Sequence, residues 1–498
     1  MRSLPRRVFL TRAAGLVLTL GATPLFGARR RGTTPYSGGW WLAGDHHIHT
    51  KYSIDGRYEI DQQVAAAARS GLDFCVITDH GGPGHDKVAL KLAYPELVEA
   101  RRRHPELIIF QGLEWNIPAA EHGSVILPPT ADDAEIVADF EAHFDARNLT
   151  HPVGEPEAVA GVKYLQALRH RPLFLANHPA RRGYDSPHEL RNWADAGPDV
   201  MRGFEGAPGH GAATFIGERR GLYSEKPTRD SFPGYPLDSY RTFGGYDYYV
   251  AQVGGLWDSL LGEGRAFYIT ANSDSHRFLG DRVGSDRATY KKLGFVTTTG
   301  INQEVVPGKP RLDGDYAPGL YAQTRVYATQ REPLAVLSAM RAGNMYTVLG
   351  NLISTLELWA HDGHQAAPMG STLLLGRRGG TVEVVFTIGL GQHENLGGGL
   401  LALHHVDLIA GQILGPAADR DLLGNPSTQV VARLTLRDGE RRGDQVTFRH
   451  RFVNVRGSFY VRLRGTNTDV VAPELDAPDV DPWTDLWFYS NPIMVRVP

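Results

Sequence analysis

The segment GDHHIHTKYSIDG, residues 44–56, carries three histidines and two aspartates within thirteen residues. Histidine accounts for 20 of the 498 residues, so chance alone produces a His-x-His pair about 0.8 times in a chain of this composition. The segment by itself therefore does not distinguish a metal site from a polar turn that leads into the first strand of a fold. Its interpretation depends on what the rest of the chain places near it.

Short apolar runs alternate with helical stretches from residue 45 to about residue 299. The Ala-rich segment EIDQQVAAAARSG, residues 59–71, predicts a helix that ends at Gly71, and LDFCVITDH, residues 72–80, predicts a buried strand with a polar end. The same alternation recurs further along the chain. It predicts an α/β fold with a parallel sheet, open or closed into a barrel, whose functional groups gather at the C-terminal ends of the strands.

The residue pattern changes after about Gly350, from alternating strands and helices to strand-like segments. Segments such as QVTFRHRFVNVRGSFYVRLRG, residues 445–465, are separated by turns rich in glycine and proline, and part of this segment alternates apolar with polar residues. This pattern predicts an antiparallel β-sandwich. A chain of 498 residues is too long for one ordinary core. We therefore expect an α/β domain at residues 40–350 and a β-sandwich domain at residues 351–498.

Composition and charge limit the classes of function. The formal net charge of −3 lacks the basic excess of a nucleic-acid-binding protein. The single cysteine, Cys75, excludes a disulfide framework. Residues 1–31 have a basic start followed by an apolar run too short to span a bilayer, which is typical of a signal peptide, and Arg6 and Arg7 resemble a twin-arginine export signal. The sequence thus predicts an exported protein, periplasmic or extracellular, without a stable membrane span.

Nearly every predicted strand of the first region ends in an imidazole or a carboxylate. Because the ends of parallel strands meet at one edge of a sheet, we expect these groups to converge. Imidazoles and carboxylates without thiolates suit Zn²⁺, Mn²⁺ or Fe²⁺, and nine ligands are too many for one ion, which implies a cluster of two or three divalent metals. The nine candidate ligands are His47, His49, Asp55, His80, Glu114, His122, His178, Asp274 and His276.

The ordered motifs DHHIHTKYSIDG, ITDHGG, GLEWN, EHGSVIL, NHP and NSDSH resemble those of the PHP (polymerase and histidinol phosphatase) metallohydrolases. The resemblance covers roughly residues 44–280. It implies a distorted (β/α)₇ barrel that holds up to three metals and hydrolyses phosphoesters. The exported N-terminus, the β-rich C-terminal region and the segments RAGNMYTVLGN and GLWDSLLGEG most resemble the carbaryl-hydrolase-like branch, which leaves a phosphoester, a carbamate and a carboxyl ester open as substrates.

The resemblance also implies how the candidate ligands divide. Asp55 and His80 match the ligands of a second metal, and His122 and His178 match the ligands of a third. His276 pairs with Asp274 in the closing motif, and Asp79 matches a residue that orients an imidazole. The residues that match the ligands of the more buried part of the cluster are His47, His49, Glu114 and Asp274. Among them, Glu114 is the candidate ligand that bridges two metals.

The predicted mechanism is attack by a metal-activated water on an ester of a small molecule. Asp79 or Asp274 is the candidate proton acceptor, Arg181 a candidate phosphate contact, and His210 a candidate pocket residue. Two alternatives remain at this point. An amidohydrolase-type barrel would place a bridging lysine where Glu114 stands, and a binding protein would combine an inactive barrel with a sandwich that recognises a carbohydrate or a surface.

Overall fold

The computed structural model describes residues 34–209, 227–229, 231–236, 239–278, 287–296, 315–391, 402–477 and 481–498. The predicted export signal at residues 1–31 and the predicted pocket residue His210 lie outside these ranges. In the described part of the chain, no helix combines the length and the apolar character that a membrane crossing requires.

Seven strands pair in chain order to form the first region. Strands β1 to β3 are parallel, β4 runs antiparallel to both β3 and β5, and β5 to β7 are again parallel. The prediction of an α/β fold with a parallel sheet is confirmed, with β4 as the exception. The strands are β1 (Trp40–Asp45), β2 (Phe74–Ile77), β3 (Ile108–Asn116), β4 (His122–Ile126), β5 (Leu173–Ala176), β6 (Met201–Ala207) and β7 (Tyr268–Ala271).

The first and the last of these strands meet just beyond their C-terminal ends. Ile48 forms an isolated parallel bridge with Ser275, and the amide of His49 donates to the carbonyl of Ser275 at 2.9 Å. This contact brings the segment after β1 beside the segment after β7. It closes the row of strands at the end where the candidate ligands lie.

The side chains of β2 show how the two faces of the strands are used. Phe74 and Val76 belong to an apolar cluster with residues of β1, β3, β4, β5 and β7, whereas Cys75 and Ile77 pack with the helix at Ile60–Arg69 in a second cluster. This period of two is what a strand buried on both faces requires. Each apolar side chain buried in this way contributes roughly 1.5–3 kcal/mol.

Helices lie between the strands, and the end of the first one agrees with the sequence. The predicted end of α1 at Gly71 coincides with left-handed backbone at this glycine, with φ of +75°, and α10 is followed by a second such glycine, Gly343, with φ of +72°. The helices are α1 (Ile60–Arg69), α2 (His85–Val88), α3 (Tyr94–Arg103), α4 (Asp133–Phe144), α5 (Glu155–Ala167), α6 (Pro187–Ala196), α7 (Tyr248–Ala251), α8 (Leu256–Gly262), α9 (Arg287–Leu293) and α10 (Pro333–Ala342), with a π-helical turn at Ala89–Ala93 and a 3₁₀ turn at Leu436–Asp438.

The C-terminal region is largely antiparallel, as predicted. Strands β8 and β9 continue the main sheet beyond β1, and β9 pairs with β19, so the main sheet runs from the barrel into the C-terminal strands. A second sheet has the order β11-β10-β13-β17-β16. The C-terminal strands are β8 (Ala322–Ala328), β9 (Met345–Leu349), β10 (Ile353–His361), β11 (Ala366–Pro368), β12 (Thr372–Leu374), β13 (Gly380–Leu390), β14 (His405–Gln412), β15 (Gln429–Thr435), β16 (Glu440–Arg442), β17 (Gln445–Val455), β18 (Phe459–Thr466), β19 (Trp487–Ser490) and β20 (Ile493–Arg496).

The two sheets of the C-terminal region share one apolar core with the barrel. Phe386 and Phe448 of the second sheet stack with their ring centroids 4.9 Å apart, and they belong to the same cluster as Trp487 of β19 and Trp257 of α8. The predicted domain boundaries at residues 40–350 and 351–498 remain a prediction. The continuous sheet and core show that the two regions are extensively packed against each other.

Candidate metal centre

The strand ends bring the candidate ligands together in three overlapping groups. In each group the potential ligand atoms lie within 4.8 Å of one another. The groups are His49, Asp55, His80 and His276; His47, His49 and Asp274; and His80, Glu114 and His122. The first group shares His49 with the second and His80 with the third.

Glu114, near the end of β3, lies at the centre of this cluster. Its carboxylate oxygens lie between 2.9 and 3.5 Å from a ring nitrogen of five histidines, and its side chain is 2% exposed. The five are His47, His49, His80, His122 and His178. His178 is absent from the three groups above but joins the cluster through its 3.5 Å contact with Glu114. The position of Glu114 is the one that a bridging carboxylate would need.

Three ligand atoms of the second group form a nearly equilateral triangle. The Nε2 atoms of His47 and His49 lie 3.0 Å apart, and Oδ1 of Asp274 lies 3.2 and 3.3 Å from them. Ligands about 2.0–2.1 Å from one ion are separated by roughly 3.0–3.4 Å in tetrahedral or octahedral geometry. The residues present therefore fit a transition-metal ion, with imidazole and carboxylate donors.

Hydrogen bonds at the opposite ring nitrogens leave Nε2 of three histidines available as a ligand. Nδ1 of His276 donates to the carbonyl of Asp274 at 2.8 Å, and a carbonyl can only accept. Nδ1 of His49 lies 2.9 Å from the hydroxyl of Ser53, and Nδ1 of His47 lies 2.7 Å from Glu205. Partners of this kind fix the tautomer and the orientation of metal-ligating histidines.

Glu205, at the end of β6, is a site residue that the sequence interpretation missed. It is fully buried, and while Oε1 faces His47, Oε2 accepts the backbone amide of His178 at 2.7 Å. The signal was present, because an acid at the end of a strand is the pattern that singled out Glu114. Asn177 was also missed as a partner, and its Nδ2 donates to Glu114 Oε1 at 3.0 Å.

Two of the candidate ligands have strained backbones. His178 has φ of +32° and Asp274 has φ of +47°, both in the left-handed region that non-glycine residues rarely adopt. Such conformations cost of order 1–3 kcal/mol and persist only where the surroundings enforce them. For His178 the enforcing contact is the hydrogen bond from its amide to Glu205.

The charges of the cluster shift the pKa values of its members. Burial opposes a charge on His49, but Asp274 and Glu114 outweigh it and raise the pKa of His49 to about 10. Burial likewise opposes ionisation of Glu114, yet His80 and His47 hold the pKa of Glu114 well below its usual range. The buried carboxylates thus require compensating positive charge, which protons on histidine or divalent cations can supply.

Asp79 is bonded to the loop that follows β1. Its two carboxylate oxygens accept the backbone amide and the hydroxyl of Thr50, both at 2.6 Å. Asp79 therefore anchors the loop that carries Asp55. Its role in orienting an imidazole stays a prediction. His46, beside the candidate ligand His47, lies with Nε2 2.8 Å from the hydroxyl of Thr270.

Arg181 lies beside the cluster and is largely buried. Its Nη2 donates to Glu121 Oε2 at 3.0 Å, whereas its buried Nε has no hydrogen-bond partner in the described part of the chain. Arg181 and His178 hold the pKa of Glu121 down to about 2 despite its burial. Glu121 was missed by the sequence interpretation. It holds the guanidinium at the edge of the candidate ligands.

Gly56 allows the loop after β1 to fold tightly enough to place Asp55. A Cβ atom at residue 56 would lie 1.9 Å from the carbonyl oxygen of Thr50, so the Gly56→Ala variant has to shift the loop. We expect it to weaken metal binding by the group that contains Asp55 about tenfold or more. Titration of the metal-free protein with Co²⁺ measures this effect. Gly457→Ala is the control, because its Cβ meets no atom within 4 Å; equal affinities of the two variants would contradict the prediction.

Comparison with known proteins agrees with the motifs. Residues 45–176 match the family model of the PHP domain. The match runs from the last residue of β1 to the end of β5 and includes six of the nine candidate ligands, while His178, Asp274 and His276 lie beyond it. No curated protein matches the chain significantly.

Two solved structures show limited similarity. One is a two-domain protein from Bacteroides vulgatus that contains a predicted PHP-like metal-dependent phosphoesterase; it is 15% identical, with 90% of this chain and 98% of that chain covered and a TM-score of 0.34. The other is an amidohydrolase from Chromobacterium violaceum, 15% identical, with 32% and 52% covered and a TM-score of 0.15.

Proposed function

We propose that this chain is an exported metal-dependent hydrolase that cleaves a phosphoester of a small molecule. The observation that carries the proposal is the convergence of eight buried or half-buried imidazole and carboxylate side chains on Glu114, the ninth candidate ligand. A cluster of this charge is costly to bury unless cations occupy it. The match of residues 45–176 to the PHP domain supports the same conclusion.

Different side chains would bind the metals, contact the phosphate and accept the proton. The three groups around Glu114 would hold two or three divalent ions, with Zn, Mn and Fe as the candidates. When bound, such ions lower the pKa of water and offset the negative charge that develops on the ester. Arg181 would offer to a phosphoryl oxygen its Nε–H, which has no hydrogen-bond partner among the described residues. Because Asp79 is engaged by Thr50, Asp274 is the favoured proton acceptor.

Metal analysis and a substrate panel test the proposal together. The purified protein, saturated with Zn²⁺, Mn²⁺ or Fe²⁺ in turn, is assayed against phosphomonoesters, phosphodiesters, aryl carbamates and carboxyl esters. We expect at least two equivalents of metal per chain and turnover of a phosphoester. Fewer than two equivalents would contradict the cluster, and turnover of carbamates or carboxyl esters alone would favour the carbaryl-hydrolase-like alternative. His178→Ala should lower both metal content and activity.

Metal binding is expected to strengthen as the pH rises. In the metal-free protein His49 keeps a proton up to about pH 10, because Asp274 and Glu114 stabilise its charge against burial. A metal ion needs the neutral imidazole, so binding displaces this proton, and affinity should rise about tenfold per pH unit for each proton released. Calorimetric titration with Mn²⁺ at pH 6, 7 and 8, in buffers of different ionisation enthalpy, counts the protons. Affinity that is independent of pH would contradict this.

Export through the twin-arginine route is also part of the proposal. The route carries folded proteins, so the metals would be loaded in the cytoplasm before export. Replacing Arg6 and Arg7 with lysine is expected to leave active, metal-loaded protein in the cytoplasm, as cell fractionation would show. The same pair of replacements at Arg102 and Arg103, exposed on α3, is the control. Unchanged export of the Arg6/Arg7 variant would contradict this part.

A further inference from the structure

The edge of β7 that faces away from β6 is satisfied by side chains rather than by a neighbouring backbone. At Ile269, the side chain of Asn491 accepts the amide at 2.8 Å and donates to the carbonyl at 3.0 Å. At Ala271, the hydroxyl of Thr324 does the same, with both distances 2.8 Å. At Ser273, the amide donates to Asp45 Oδ2 at 3.1 Å. We call Asn491, Thr324 and Asp45 the seam.

The seam continues directly into the metal centre. Every second residue along this edge is bonded in turn, and the next one, Ser275, takes the backbone contact from His49. Asp274 and His276 alternate with these residues. The other carboxylate oxygen of Asp45 accepts the amide of His47 at 3.2 Å. Through Asp45, the seam therefore joins the segments after β1 and β7, which carry the first and the last candidate ligands along the chain.

Asn491 brings the C-terminal region into this arrangement. It follows β19, is fully buried, and its Nδ2 also donates to the carbonyl of Met345 at the start of β9. It thus occupies the gap between β7 and β9, where no backbone ladder forms. Its amide group replaces, for Ile269, the partner that a strand would have provided.

We propose that the seam positions Asp274 and His276, and that through Asn491 the C-terminal region is part of the scaffold of the metal centre. This inference rests on the proposed function, since it concerns the same ligands. Asp274 adopts a left-handed backbone that the chain on both sides has to enforce. On its N-terminal side the enforcing contacts are those of the seam.

Variants of Thr324 test the inference with little change in shape. Thr324→Val keeps the volume and removes both hydrogen bonds to Ala271, whereas Thr324→Ser keeps them. We expect Thr324→Val to weaken binding of Co²⁺ to the metal-free protein about tenfold or more and to alter the visible absorption spectrum of the bound Co²⁺. Thr324→Ser should keep the affinity and the spectrum of the unaltered protein. Thr387→Val, in the second sheet, removes one hydroxyl contact far from the ligands and is the control.

Hydrogen exchange in the unaltered protein provides a second measurement that does not depend on any variant folding. If the seam and the metal centre are coupled, Co²⁺ should slow exchange at the amides of Ile269 and Ala271 at least tenfold, and leave Val385 of β13 unchanged. Wild-type affinity and spectrum in Thr324→Val, or exchange at β7 that Co²⁺ does not alter, would overturn this inference alone. Failure of the wild-type chain to bind Co²⁺ would overturn the proposed function and this inference with it.

Discussion

Replacing Glu114 with glutamine is expected to abolish hydrolysis almost completely, by roughly a thousandfold or more, corresponding to about 4 kcal/mol of lost stabilisation. The glutamine has nearly the same shape, but it removes a negative charge and turns one acceptor oxygen into a donor. That donor would face ring nitrogens that lie 2.9–3.5 Å away. We expect the variant to lose at least one equivalent of metal as well as activity.

Two measurements separate this effect from unfolding. Elemental analysis gives the metal content of the purified variant, and circular dichroism shows whether the fold is retained. Glu135→Gln provides the matched control, because Glu135 is exposed on α4. A Glu114→Gln protein that keeps its full metal content and activity would show that Glu114 does not bridge ions.

Most of the candidate centre could be predicted from the sequence, because each of these ligands is recognisable from the strand that precedes it. A buried run that ends in a polar residue was recognisable for His47, Glu114 and Asp274 without knowledge of which strands are neighbours. Glu205 was missed although it obeys the same rule, since the strand that carries it is interrupted by glycines in MRGFEGA, residues 201–207. Glu121 could not be recognised in this way, because its role depends on Arg181, sixty residues further along the chain.

The parts of the fold that could not be predicted are those set by contacts between distant segments. The antiparallel direction of β4 depends on its pairing with β3 and β5, and a short apolar run looks the same in either direction. The contact between Asp79 and Thr50 could not be predicted either, because Thr50 lies in a loop whose path the sequence does not reveal. The seam is a still clearer case, since Asn491 and Ile269 are 222 residues apart.

The largest effect on stability is expected at the ion pair between Asp258 of α8 and Arg462 of β18. Both side chains are 0% exposed, and the pair is bidentate, with distances of 2.8 and 2.7 Å. Nη1 of Arg462 has no hydrogen-bond partner among the described residues, so Asp258 supplies much of its compensation. Asp258→Ala leaves a buried unpaired cation and should lower the free energy of unfolding by about 3–5 kcal/mol.

A double variant shows whether the loss comes from the unpaired charge of Arg462. Asp258→Leu combined with Arg462→Met removes both charges and should recover most of the stability, because buried ion pairs are often no better than apolar side chains of similar volume. Glu440→Ala is the control, since it breaks an equally close pair with Arg442 whose side chains are 58% and 77% exposed. Solvent screening and the mobility of the side chains leave such exposed pairs with little net effect on stability. If denaturant unfolding gave Asp258→Ala a loss as small as that of Glu440→Ala, the junction between α8 and β18 would not depend on this pair.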